Sequence, residues 1–280
     1  MTSQEPVVFI LDLDGTIIGD CAYQVIIHNI EDVARQNKIK TNSKDMLVNC
    51  YNESSKLIRP YFKHFINTMK THFSNSQFYI YTASEKSWAN KEISMIEKTH
   101  GFKFNRPLFT REDCIVDSYG MYKKSVKKIL PRIVKANKNG NISSENILVI
   151  DNNKVFIDFN KNMIECPTYN YTHFCDIWEK IDKNDTLDTS LSRMVSNLVL
   201  TNKACKYSNC KNTDDKKIEL KHKWMYKKYK KLNKMNKPFE KDVFWKRLAN
   251  AIVDKNVKSF DRNSVEMLRK LSCRDKVVGT

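Results

Sequence analysis

Val7-Val8-Phe9-Ile10-Leu11 runs straight into Asp12-Leu13-Asp14-Gly15-Thr16. Five apolar residues without alternation have the length of a strand, and both faces of that strand must be buried, as in a parallel sheet. The pattern returns at residues 77–81 (QFYIY), ending at Thr82, and at 146–150 (NILVI), ending at Asp151. Three buried strands thus each deliver a polar residue at the C-terminal end, the edge where open α/β sheets bind ligands. Between them apolar residues fall at helical spacing: Ile58, Phe62, Phe65, Ile66 and Met69; Ala89, Ile93 and Ile96; Val126, Ile129, Leu130, Ile133 and Val134. Strand–helix alternation predicts a doubly wound, mostly parallel α/β sheet.

Alternation along an extended chain lets Asp12 and Asp14 point to the same side. Two carboxylates at one strand end can divide phosphoryl transfer: one attacks phosphorus, the other protonates the leaving group and later activates water. Carboxylates this close need a cation, and Mg²⁺ takes oxygen ligands. Gly15 permits a tight turn and Thr16 can brace it. The plainer reading of the same residues is an acidic turn after a strand.

Asp12 to Thr16 is similar to the first motif of the haloacid-dehalogenase-like phosphohydrolases. The chain more closely resembles the RNA polymerase C-terminal-domain phosphatases and small CTD phosphatases of that superfamily. The closer resemblance lies in Arg59-Pro60-Tyr61 with Phe65, Tyr81-Thr82-Ala83-Ser84 with Trp88-Ala89, residues 109–114 (FTREDC), residues 120–124 (GMYKK), and Val149-Ile150-Asp151-Asn152-Asn153. The resemblance implies a Mg²⁺-dependent phosphatase with Asp12 as nucleophile and Asp14 as general acid and base. Thr82 would bond phosphoryl oxygens and Lys124 would neutralise their charge, with Lys123 its substitute if the register slips by one. Mg²⁺ would be held by Asp12, the backbone carbonyl of Asp14 and Asn152, with Asp151 beside them as a further ligand or as a support behind the ligands. The plain alternatives are a strand-end threonine, a surface lysine and a turn at Asp151-Asn152. Arg111 is expected to pair with a carboxylate inside the domain; Asp158 is a spare acidic candidate for the site, expected rather to be a surface or capping residue. The chain departs from the pattern at Gly15, at Trp88, and at Asn153-Lys154, where Ser-Pro is usual. None of these removes a catalytic group.

The 280 residues carry 49 Lys and Arg against 32 Asp and Glu, a net charge of +17. Residues 186–280 hold 24 of those cations and 10 of the acids, so +14 of the excess lies in the last third. The expected organisation is a phosphatase domain at 1–185, with a small cap-like insertion at 19–57, followed by a basic, mainly helical region at 186–280. Helical patterns there include 191–198, 243–252 and 265–271, the last with Ser264 as a cap. Residues 221–237 interleave lysines with aromatics. That pattern suits nucleic acid or an acidic partner, and equally a solvated helix face. Cys205, Cys210 and His222 supply at most half a zinc site. No apolar run approaches the ~20 residues of a membrane span, and no secretory leader opens the chain. Reduced thiols in the cytoplasm or nucleus are the expectation, within the host cell if the chain belongs to a large DNA virus.

The resemblance makes phosphoserine or phosphothreonine on a protein, such as an RNA polymerase tail, the expected substrate. The basic region suggests a second reading, a phosphatase for nucleic-acid ends. A third is a non-catalytic scaffold of the same fold that binds RNA or a protein. The intact Asp12, Asp14, Thr82, Lys124 and Asp151 argue against it.

Overall fold

The computed structural model describes residues 5–19, 56–137, 142–172, 231 and 234–273. The chain divides into two compact units: 1–19 with 58–169 and 241–280, and 20–57 with 170–240. In chain order the described elements are β1 (Val7–Leu11), α1 (Phe62–His72), β2 (Ser76–Ile80), α2 (Lys86–His100), β3 (Ile115–Val116), β4 (Tyr122–Lys123), α3 (Val126–Ala136), β5 (Ile147–Asp151), β6 (Met163–Glu165), α4 (Phe244–Asp254) and α5 (Arg262–Ser272).

The first unit is built on a parallel sheet in the order β2-β1-β5-β6. Leu11 pairs with both Ile80 and Ile150, so the residues that follow these three strands emerge level at one edge. All five residues of β1 are buried, as an unbroken apolar run requires. Val8 and Ile10 join a core with Tyr79, Val126, Ile129 and Ile133. The alternate residue Phe9 packs instead on Phe65, Phe78 and Phe260, with ring centroids 5.6, 5.0 and 5.7 Å away. The doubly wound α/β sheet expected from the strand–helix alternation is therefore observed.

Helix α3 buries Val126, Ile129 and Ile133 and turns its lysines outward. Helix α1 begins at Phe62 rather than at Ile58. Pro60 disfavours helical backbone at Arg59, and Tyr61 sits in the left-handed region at φ 65°. Helix α5 is capped by Asp261, whose side chain accepts from the Ser264 N–H at 2.7 Å. Ser264 therefore receives the cap rather than supplying it.

The compact units do not divide at 185/186. Residues 241–280 lie in the unit that contains the sheet. The cause is apolar: Trp245 of α4 packs on Phe62 and Phe65 of α1 at 5.0 and 4.7 Å, and Phe260 covers Phe9 and Phe73. In the second unit Thr172 and Asn236 exchange two hydrogen bonds, of 2.9 and 2.8 Å. Most of the cap-like insertion, the 191–198 helix, Cys205, Cys210, His222, and all of 221–237 except 231 and 234–237 lie outside the described residues. No helix among the described residues is long and apolar enough to cross a membrane.

Candidate active site

The end of β1 is tied to β5 by the Asp12 N–H, which donates to the Ile150 carbonyl at 2.9 Å. The chain then turns back on itself, with Gly15 N donating to Ile18 O at 2.8 Å and Ile17 N to Leu13 O at 2.9 Å. Gly15 adopts φ +78°, and a Cβ there would stand 2.7 Å from Asn152 Nδ2. Glycine is thus required by conformation and by space. Thr16 braces the turn: its hydroxyl lies 3.1 Å from Asp12 Oδ2 and accepts from the Asn152 N–H at 3.1 Å.

Lys124 reaches into this edge from the residue after β4. Its Nζ donates to Asp12 Oδ1 at 2.6 Å and to Asp151 Oδ2 at 2.7 Å, and the side chain is 2% exposed. The ammonium lies 5.8 and 5.6 Å from the ring centroids of Tyr81 and Phe156. Lys123 points elsewhere, pairing with Asp117 at 3.8 Å. Burial opposes the charge of Lys124, but Asp12 and Asp151 outweigh it and hold the ammonium above its ordinary value. Burial pushes the Asp12 carboxyl up to about 7, with Asp151 and Asp14 adding to the rise and Lys124 opposing it. Lys124 is anchored on both sides: its N–H donates to Val155 O at 2.9 Å, and its carbonyl accepts from Ile157 N at 3.0 Å. Just beyond, Asp158 caps α3 by accepting from Ser125 Oγ at 2.6 Å and Val126 N at 2.7 Å. Asp158 is therefore the capping residue of the two roles expected for it.

Asp14 faces the loop after β2. Ser84 Oγ donates to Asp14 Oδ2 at 2.5 Å, and Thr82 Oγ1 lies 3.4 Å from the same oxygen. Arg111 pins that loop, with Nε on Ala83 O at 2.9 Å and Nη1 on Glu85 at 3.1 Å. The carboxylate pairing expected for Arg111 is present, and its guanidinium also lies over the Tyr122 ring. The six residues singled out, Asp12, Asp14, Thr82, Lys124, Asp151 and Asn152, all gather at this one edge. Ser84 stood inside a quoted motif without a role, and only the fold brings its hydroxyl to Asp14.

Beneath the site lies a group that sequence reasoning did not find. The Arg59 guanidinium is buried, forms a two-bond pair with Asp242 at 3.0 and 2.8 Å, and touches Cys166 Sγ at 3.5 Å. Cys166 Sγ in turn lies 3.8 Å from Thr16 Oγ1. Burial raises the Cys166 thiol to about 12, with Arg59 opposing, so it is an inert packing group.

The oxygens at this edge suit a hard cation. The inward amide atom of Asn152 lies 3.2 Å from Asp12 Oδ2 and 3.3 Å from the Asp14 carbonyl oxygen. With its oxygen inward, Asn152 joins two others in an all-oxygen set of the kind Mg²⁺ takes; with its nitrogen inward, it bonds both. Among the described residues no three Asp, Glu, His or Cys side chains form a metal cluster. Such a site would therefore depend on a carbonyl and an amide as well as Asp12. Asp151 is turned to Lys124, and its Oδ1 accepts from Asn153 N at 2.7 Å. That bond closes the turn where the usual proline is missing.

A buried carboxylate beside an ammonium, with a second carboxylate under two hydroxyls, can attack phosphorus and move a proton. Residues 7–199 match the model of a family described as NLI interacting factor-like phosphatase. The structure of Fcp1, an essential RNA polymerase II CTD phosphatase, is similar at 16% identity over 94% of this chain and 69% of that one, with a TM-score of 0.37. A fission yeast Fcp1 variant bound to beryllium fluoride is similar at 14% identity over 94% of this chain and 70% of that one, with the same TM-score of 0.37. No curated protein matches the chain.

Proposed function

Because the chain belongs to the NLI interacting factor-like phosphatase family, we propose that it removes phosphate from a protein by way of an aspartyl-phosphate on Asp12. Phosphoserine or phosphothreonine is the favoured substrate, with an RNA polymerase C-terminal tail as the leading instance. The observation that carries the reading is Lys124 Nζ bridging the buried Asp12 and Asp151 at 2.6 and 2.7 Å. A buried ammonium there lowers the cost of bringing a phosphoryl dianion to a carboxylate nucleophile.

Asp12 attacks phosphorus as the ester P–O bond breaks, and Asp14 gives its proton to the departing oxygen. Asp14 then takes a proton from water, which attacks phosphorus, releases phosphate and restores Asp12. Thr82 and Lys124 bond the phosphoryl oxygens through both steps. Asp12, the Asp14 carbonyl and Asn152 would hold Mg²⁺, with Asp151 steadying Lys124 beside them. The bound ion would supply positive charge to offset that of the phosphoryl group.

The test is turnover of 4-nitrophenyl phosphate with Mg²⁺ by wild type and by Asp12→Asn. We expect the variant to lose at least about 10³-fold in kcat, whereas equal rates would refute the nucleophile. The excess of +14 over residues 186–280 supports a second reading, in which nucleic-acid ends are the substrate. Phosphopeptides assayed against 3′- and 5′-phosphorylated oligonucleotides decide between the two. In either case the lysine-rich 221–237 stretch is proposed to hold an acidic partner or nucleic acid.

A further inference from the structure

The two hydroxyls facing Asp14 are not equivalent. Ser84 Oγ to Asp14 Oδ2, at 2.5 Å, is a short hydrogen bond, whereas Thr82 Oγ1 at 3.4 Å is at the limit of bonding. Thr82 is also engaged from behind, since its Oγ1 accepts from the Ser84 N–H at 3.1 Å. That bond occupies a lone pair of the threonine and leaves its proton to be given to another oxygen. Ser84 itself is held by its backbone: its carbonyl accepts from Arg111 N at 3.0 Å, and Thr82 N donates to Phe109 O at 3.0 Å.

We propose that Ser84 is the positioning residue for Asp14, and that its hydroxyl frees Thr82 to serve the phosphoryl oxygens. The proposal rests on the reading of Asp14 as the general acid. When Asp14 protonates the departing oxygen, the P–O ester bond breaks, the bond from Asp12 to phosphorus forms, and Asp14 is left as a carboxylate. The Ser84 hydroxyl donates to that carboxylate and gains strength as its charge develops, which is the condition for lowering a barrier. A threonine already drawn toward a phosphoryl oxygen cannot do this at the same moment.

The consequence is a dependence on the leaving group. Phenolates that depart readily need little protonation, and those that depart poorly need the acid. Wild type, Ser84→Ala, Ser84→Thr and Asp14→Asn are compared on 4-nitrophenyl phosphate and on phenyl phosphate, with melting temperatures recorded for each. Ser84→Ala is expected to lose about tenfold more in kcat on phenyl phosphate than on 4-nitrophenyl phosphate, with KM changed less than about threefold. Ser84→Thr, which keeps the hydroxyl, is expected to recover most of that difference. Equal losses of Ser84→Ala on the two substrates, or no recovery in Ser84→Thr, overturn the proposal. Asp14→Asn separates the two levels. If it discriminates between the substrates and Ser84→Ala does not, only the role of Ser84 fails. If Asp14→Asn does not discriminate, the acid assignment fails and the proposal with it.

Discussion

Asp12 is buried, and its proposed role as nucleophile needs the anion, so the consequences can be measured. With its carboxyl raised to about 7, the folded protein holds a proton there that the unfolded chain, near 3.8, has already lost. The sign follows: this group adds no burden to stability at low pH and an increasing one as pH rises from about 4 to about 7. A cation that binds the ionised form must displace that proton. Mg²⁺ affinity should therefore fall by up to about tenfold per pH unit below 7. The rise in melting temperature caused by Mg²⁺ at pH 8 should shrink at pH 6 and lose its pH dependence in Asp12→Asn. An affinity equal at the two pH values would contradict the protonated Asp12. At this scale much was legible. Asp12, Thr82 and Asp151 each follow a buried apolar run, so strand pattern alone sends them to one edge. Lys124 was legible only through a motif, because nothing in its own neighbours distinguishes it from Lys123. Ser84 was not legible, because a hydroxyl two residues past a strand is ordinary until the register of β1 and β2 brings it to Asp14.

Among the elements, the join between α1 and the start of α4 is the least expected. Arg59 precedes α1 and Asp242 precedes α4, 183 positions apart in sequence. Their pair lies under the turn that carries Thr16, with the guanidinium 4.6 Å from the Phe244 ring centroid. A fully buried guanidinium without its carboxylate is costly, so Asp242→Ala should lose about 3–5 kcal/mol of stability. Replacing both partners by apolar residues, Arg59→Met with Asp242→Leu, should recover a good part of that loss. Denaturant midpoints check both. A single variant within about 0.5 kcal/mol of wild type would mean the pair is not a strong constraint. Asp242 Oδ1 also accepts from Phe244 N at 3.1 Å, a contact within the reach of local sequence. Its second role depends on long-range packing, which local periodicity does not carry.

For the whole molecule, position along the chain and place in the fold diverge. The basic last third had the look of an appendage, yet Trp245 of α4 packs on α1, and Phe260 packs on Phe9 of the sheet. The charge divides accordingly. Residues 241–280 hold 10 Lys and Arg against 5 Asp and Glu, which leaves +9 to 186–240. A test of the basic region by deleting everything after 185 would therefore remove part of the core as well. Phe244, Trp245, Leu248, Ile252, Phe260, Val265 and Leu268 are all buried. At about 1.5–3 kcal/mol for each large apolar side chain, their joint removal costs about 10–20 kcal/mol, as much as the ~5–15 kcal/mol that holds a domain folded. A chain ending at residue 240 should lose its cooperative thermal transition and its near-ultraviolet circular dichroism, and with them turnover of 4-nitrophenyl phosphate. Neutralising lysines within 221–237 while keeping 241–280 should instead leave the melting temperature and that turnover unchanged, and weaken only binding to oligonucleotides or acidic peptides. If the shortened chain melts cooperatively and turns over at the wild-type rate, the C-terminal helices are an appendage after all, and the core closes without them.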